Sequence, residues 1–277
     1  MMSKMIIGNK EFNVKDHTYV CGILNVTPDS FSDGGSFINK DKALFHVEKM
    51  IKEGADIIDI GGESTRPGYI SVSEEEEIER VCHIIEEVKN NFDIPVSIDT
   101  YKSKVFFYAL KSGVDMLNDI WGLKHDDAMA KLVKDSKRAI CIMHNKKECV
   151  YGNNTKEEVL DGIEQDLKES IDIARNVGIE NNRICIDLGI GFAKTYEMNL
   201  WALNDMDRFK KLGYPLYIGT SRKSVIGNTL NVQPKDRLSG TIATTVMAVM
   251  KGAAFIRVHD VLENVQAVKM TEAIMKS

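Results

Sequence analysis

No hydrophobic run in the chain approaches the roughly 18 residues that a membrane-spanning helix requires, so an integral helical membrane protein is excluded. The opening stretch MMSKMIIGNKEF turns polar too soon to form the apolar core of a secretory signal, and the expected location is the cytoplasm. Basic residues are not in excess: 36 Lys and Arg against 41 Asp and Glu leave a net charge of −5, which argues against a nucleic-acid partner. Cysteine is sparse and unpaired in pattern. The five thiols, Cys21, Cys82, Cys141, Cys149 and Cys185, include no CxxC, so neither a zinc site nor a disulfide frame is expected. Low-complexity tracts and linkers are missing too, so residues 1–277 read as one domain. Nucleotide loops are also missing: Gly189-Ile190-Gly191-Phe192-Ala193-Lys194 puts Lys194 where a dinucleotide fingerprint needs its third glycine.

What the chain has is alternation. Short apolar runs, rich in β-branched residues, fall at Tyr19–Val26, Asp56–Ile60, Val96–Ile98, Met116–Leu117, Ala139–Met143, Ile184–Ile186, Leu216–Ile218 and Ala254–Val258. Runs of this kind predict parallel strands buried on both faces. Between them lie helical stripes such as Leu44-Val47-Met50-Ile51, Ile78-Val81-Ile85-Val88 and Leu160-Ile163-Leu167-Ile171-Ala174. Ser73 with Glu76 three residues on has the pattern of a capping box. Eight strand–helix units in about 250 residues predict a (β/α)8 TIM barrel, with an open doubly wound sheet as the rival. Met5–Val14 reads as a short N-terminal β-hairpin around Gly8–Asn9 that plugs the barrel's bottom.

Polar residues then fall in phase, immediately after nearly every predicted strand. They are Asn25 with Asp29 and Asp33, Glu63 to Arg66, Asp99, Asn118–Asp119, His144–Asn145, Asp187, Ser221 to Lys223, and Arg257 with His259. In a parallel barrel all of these emerge at one rim, where catalytic sites lie. Asp99, Asn118 and Asp187 suit a flat heterocycle with an amino-amide edge, because a carboxylate accepts two parallel N–H bonds. A general acid–base pair and a metal site on the two aspartates are competing readings, and a lone Asp after a strand serves equally as a helix N-cap.

Two loops suit anions. Gly61-Gly62-Glu63-Ser64-Thr65-Arg66-Pro67-Gly68 offers backbone N–H groups, hydroxyls and a guanidinium, while Asn25–Gly35 is long and polar and carries one aromatic, as a mobile lid would. Ordinary turn chemistry explains the glycines and prolines of both equally well. Ser221-Arg222-Lys223-Ser224 opens a helix, where a hydroxyl and N–H donors suit a carboxylate or phosphate, and Arg257 and His259 add cationic groups nearby. His17, His46, His83 and His125 have no such context.

Taken in order, these segments resemble a known family. Gly22-Ile23-Leu24-Asn25-Val26-Thr27-Pro28-Asp29-Ser30-Phe31-Ser32-Asp33-Gly34-Gly35 and the Gly61–Gly68 loop look like the two signature loops of dihydropteroate synthases. The likeness continues through Ser97-Ile98-Asp99-Thr100, Asn118-Asp119-Ile120, Met143-His144, Asp187 with Gly191-Phe192, Ser221-Arg222-Lys223-Ser224 and Arg257-Val258-His259-Asp260. The resemblance implies condensation of (7,8-dihydropterin-6-yl)methyl diphosphate with p-aminobenzoate. It implies that Asp99, Asn118, Asp187 and Lys223 hold the pterin, with Arg257 against its face, and that Asn25 ligates a Mg²⁺ on the diphosphate, which also meets Thr65, Arg257 and His259. p-Aminobenzoate would lie against Phe31, Thr65, Arg66, Pro67, Phe192, Ser221 and Lys223, with its carboxylate at Ser224. Asp33 is expected to support positive charge developing on the pterin while Phe31 shields it from water. Leu188, Asn145 and Trp121 depart from the common family pattern and touch local shape alone. A homodimer through the late helices, across Ile242–Met250 and Val261–Ile274, is implied as well. The rival within the same resemblance is a pterin-binding barrel without synthase activity, such as the folate module of corrinoid-linked methyltransferases, which would have no use for the two long loops.

Overall fold

The computed structural model describes residues 2–26, 36–63, 71–146 and 154–277. A hairpin comes first, β1 (Lys4–Ile7) and β2 (Lys10–Asn13). It is followed by β3 (Tyr19–Asn25), α1 (Ser36–Glu53), β4 (Ile57–Gly61), α2 (Glu74–Asn91), β5 (Val96–Asp99) and α3 (Ser103–Lys111). Next come β6 (Met116–Asp119), α4 (Asp127–Ser136), β7 (Ala139–Met143), α5 (Lys156–Val177), β8 (Ile184–Asp187) and α6 (Tyr196–Asn204). The chain ends with β9 (Leu216–Ile218), α7 (Ser224–Leu230), α8 (Leu238–Met250), β10 (Phe255–Val258) and α9 (Val261–Met275). β3 to β10 pair in parallel, each with the next, and β10 pairs back onto β3 to close the barrel. The closed TIM barrel, rather than the open sheet, is therefore the architecture.

Period-2 alternation divides each strand between two environments. Outward residues such as Leu24, Ile58, Ile60, Ile98, Leu117, Ile142, Ile186, Ile218 and Ile256 pack with Val47, Met50, Val81, Ile84 and Phe106 of the helix layer in one continuous core. Inward residues of the strands' first halves, Cys21, Ile57, Met116, Ala139, Cys141, Cys185, Tyr217 and Phe255, form a second core with Met5, Ile7, Phe12 and Val14 of the hairpin. Phe12 meets the Phe255 ring edge-on at 5.8 Å. The hairpin turn uses Gly8 at φ +61°, and a Cβ there would come within 2.6 Å of the Asp115 carboxylate.

Three sequence expectations need correction or trimming. The barrel strands are not apolar on both faces, because Asp59, Ser97, Asp99, Asn118, Asp187 and Arg257 occupy inward positions toward the carboxyl ends. Asp56 precedes β4 rather than opening it, and its carboxylate accepts the Val20 N–H at 2.8 Å. Ser73 caps α2 by accepting the Glu76 N–H at 3.1 Å, but the Glu76 carboxylate turns to Arg80 instead of completing a box. Cys21, Cys141 and Cys185 are buried free thiols.

Candidate active site

The inward groups meet in the carboxyl half of the barrel. Asp99 ends β5, Asn118 lies beside it in register on β6, Asp187 ends β8 and Arg257 is the third residue of β10. Arg257 Nη2 donates to Asp99 Oδ2 at 2.8 Å, and its Nε donates to Asp59 Oδ2 at 2.5 Å. Asn118 Nδ2 donates to the same Asp59 oxygen at 3.3 Å. Lys223, the N-cap of α7, points back across the mouth, where its Nζ donates to the Ile190 carbonyl and lies 4.8 Å from the Phe192 ring centre. β9 gives way to Gly219, where a Cβ would stand 3.8 Å from both Lys223 Nζ and Arg257 Cβ, so the strand end lies directly between the two cations.

Burial governs the electrostatics of this group. It raises the Asp99 carboxyl to about 7 even though Arg257 beside it pulls the other way. It lowers the Lys223 ammonium to about 8, against the pull of Asp187. Burial also raises Asp187, although Lys223 and the Gly189 N–H at 2.8 Å oppose it. For Arg257 burial disfavours the charge, yet Asp59 and Asp99 overcome it and push the guanidinium further into its charged range. Asp59 Oδ1 and Asp99 Oδ1 are buried and accept no hydrogen bond among the described residues, so this end of the mouth has acceptor capacity to spare.

The neighbouring strand ends are built as supports. Ser221 Oγ lies 3.0 Å from His259 Nδ1 and accepts the His259 backbone N–H at 3.2 Å, which ties the ends of β9 and β10 together. Ser224 is the first residue of α7 and is exposed. Gly191 takes φ +86°, with Lys223 Cδ 3.2 Å from where its Cβ would be, so the turn before Phe192 can lie flat on the lysine stem. Lys194 clamps that turn by donating to the Gly189 and Phe192 carbonyls at 3.0 and 3.2 Å, and it lies 2.7 Å from His144 Nδ1. Burial and the nearby Lys194 keep His144 neutral.

Some of the residues in phase along the sequence turn away from the mouth. Asp119 follows the inward Asn118 and therefore faces outward, where its carboxylate accepts the N–H groups of Trp121 and Leu123 at 2.9 and 2.7 Å. Arg222, at φ +59°, pairs with Asp260. Phe31, Asp33, Thr65, Arg66 and Pro67 lie outside the described residues.

Sequence reasoning missed two features. Asp59 sits mid-strand in Ile57-Ile58-Asp59-Ile60, and a lone carboxylate inside such a run was the available signal. The other is a buried ion cluster behind the mouth. Lys102 Nζ pairs with Glu63, donates to Glu77 at 2.8 Å and to the Val72 carbonyl at 2.8 Å, while Tyr101 Oη donates to Glu63 at 3.0 Å. It joins residue 63 to residue 72, and nothing in the sequence links Lys102 to either.

Among the described residues no three His, Cys, Asp or Glu side chains gather as a metal site. Asn25, at the end of β3, brings an amide oxygen to the same place as Asp99, its Oδ1 3.8 Å from where a Gly61 Cβ would stand. One amide oxygen fits a hard cation that brings most of its ligands with it, as Mg²⁺ does on a diphosphate. It does not fit a resident zinc.

Known proteins share this sequence pattern and fold. The family model described as pterin binding enzyme matches residues 21–259, so the chain belongs to the pterin-binding enzymes. A dihydropteroate synthase of Clostridium beijerinckii is 55% identical over 273 residues, 98% of this chain and 100% of that one. The crystal structure of the Clostridium difficile dihydropteroate synthase in the presence of pteroic acid superposes with a TM-score of 0.92 at 48% identity, covering 96% of this chain and 100% of that one. The Xanthomonas albilineans dihydropteroate synthase with 4-aminobenzoic acid gives 0.93 at 34% identity, with both chains covered completely. Within the pterin-binding enzymes the chain is a member of the dihydropteroate synthase family, which are transferases.

Proposed function

We infer that the barrel mouth joins (7,8-dihydropterin-6-yl)methyl diphosphate to p-aminobenzoate and releases diphosphate. The observation that carries this reading is the meeting of Asp99, Asn118, Asp187, Lys223 and Arg257 in one cluster at the strands' carboxyl ends. Asp99 and Asp187 accept N–H bonds from the pterin edge, Asn118 completes the edge, and Lys223 donates to the ring's oxygen or nitrogen acceptors. Arg257 lies against the ring and, with His259 and Thr65, meets the diphosphate. The p-aminobenzoate ring packs on Phe192 and the Lys223 stem, with Phe31, Arg66 and Pro67 from the two loops around it and its carboxylate at Ser221 and Ser224.

Little covalent help is required of the protein. As the carbon–oxygen bond to diphosphate lengthens, positive charge spreads into the pterin, and the carboxylates at this end of the barrel favour it. Asp33 stands by the charge and Phe31 excludes water. The amine is held in line by the ring contacts of Phe192 and Lys223. Mg²⁺, when bound through Asn25, would neutralise the leaving oxygens.

The exposed Met250, Met270, Ile274 and Met275 on α8 and α9 support a homodimer through the late helices. No helix of the described residues is long and apolar enough to cross a membrane, in keeping with work in the cytoplasm as a single unit of residues 1–277. The test is to mix the purified protein with the pterin diphosphate, Mg²⁺ and labelled p-aminobenzoate. Labelled dihydropteroate is expected. Tight pterin binding with no product would favour the non-synthase barrel instead.

A further inference from the structure

Three carboxylates, Asp59, Asp99 and Asp187, stand in the barrel interior against two cations, Lys223 and Arg257. Asp99 and Asp187 are at strand ends, within reach of anything entering the mouth. Asp59 is not. It precedes Gly61 by two residues, and Gly61 is the register partner of Asp99, so Asp59 lies roughly 6–7 Å deeper along the barrel. It is completely buried, whereas Arg257 retains 18% side-chain exposure.

We propose that Asp59 is a positioning residue, one that retains Arg257 so that Asp99 can release its share of the guanidinium to the pterin ring. A single guanidinium is divided between two carboxylates, its Nε on Asp59 at 2.5 Å and its Nη2 on Asp99 at 2.8 Å. Asp99 needs its oxygens for the N–H groups of an arriving ring, and the bond from Nη2 occupies one of them. Breaking that bond is cheap only if the buried guanidinium keeps a counter-ion. Asp59 supplies it from below, out of the substrate's reach, and is itself steadied by the Asn118 amide at 3.3 Å. Without the Asp59 charge, Asp99 becomes the guanidinium's one close carboxylate partner, and the pair closes over the edge the pterin must reach. Asp59 thus sets how readily the apo ion pair gives way, and it does so without touching substrate.

The inference rests on the mouth being the pterin site, and the test separates the two. The variant is Asp59→Asn, with melting temperature confirming the fold. The KM for the pterin diphosphate is expected to rise about tenfold or more, with the KM for p-aminobenzoate moved less than about twofold and kcat changed only a few-fold. In an Arg257→Gln background the same substitution is expected to add less than about threefold, because its effect passes through Arg257. A purely packing role for Asp59 would give independent, multiplying losses and no KM split. An unchanged pterin KM in folded Asp59→Asn, or independent losses in the double variant, overturns the proposal. If Asp59→Asn does not fold, Arg257→Lys serves in its place. It keeps the charge but cannot reach both carboxylates, and an unchanged pterin KM there overturns the proposal equally. Wild-type protein that fails to bind the pterin diphosphate defeats the functional reading instead.

Discussion

The pH dependence of pterin capture follows from two neighbouring groups displaced toward each other. On the proposed reading of the mouth, capture requires Asp99 as carboxylate and Lys223 as ammonium. Burial raises Asp99 to about 7, so its ionised form is lost as pH falls through that value. Burial lowers Lys223 to about 8, so its charged form is lost as pH rises through that value. The competent state is then confined to a narrow window around neutrality. About 0.6 of the protein holds it midway between the two values, and about a tenth at pH 9, so kcat/KM for the pterin diphosphate should form a narrow bell and drop several-fold on each side. The limbs belong to the linked set of Asp99, Lys223 and Arg257 rather than to single residues. Lys223→Arg discriminates, since a guanidinium stays charged throughout and the alkaline limb should vanish while the acid limb stays. Incorporation of labelled p-aminobenzoate at limiting pterin diphosphate, from pH 5.5 to 9.5, reads both. An alkaline limb that persists unaltered in Lys223→Arg, or a flat wild-type profile, refutes the reasoning.

Other perturbations have distinct signatures. Lys102→Met leaves Glu63 and Glu77 buried without their cation, and a loss of about 3–5 kcal/mol should lower the melting temperature by roughly 10 °C; an unchanged melt would show the cluster to be energetically idle. Lys194→Met releases the Gly189–Phe192 turn and should raise the KM for p-aminobenzoate about tenfold while pterin affinity, read by calorimetry, holds. Chelating Mg²⁺ should abolish turnover yet spare binding of the diphosphate-free pterin, and Asn25→Ala should demand more Mg²⁺ for half-maximal rate; equal Mg²⁺ dependence in both proteins would remove Asn25 from the metal.

The barrel and much of its mouth were legible because strand ends announce themselves. Asp99, Asn118 and Asp187 each sit where an apolar run stops, Arg257 lies one residue inside the end of its own run, and a closed parallel sheet brings all four to one side. Side-chain parity was harder to read. Asn118 and Asp119 are adjacent and equally polar, but alternation sends one into the cavity and the other into a turn. Asp59 was hidden by the opposite effect, since its isoleucine neighbours made the run look uniformly apolar while only they face the helices. The Lys102 cluster joins residues up to 39 positions apart, and no local pattern encodes a contact of that kind.

The hairpin floor has a consequence for traffic. With Met5, Ile7, Phe12 and Val14 packed against Tyr217 and Phe255, the amino-terminal end of the barrel is filled by side chains among the described residues. Traffic to and from Asp99 and Asp187 therefore runs past the strands' carboxyl ends and not through the hairpin side.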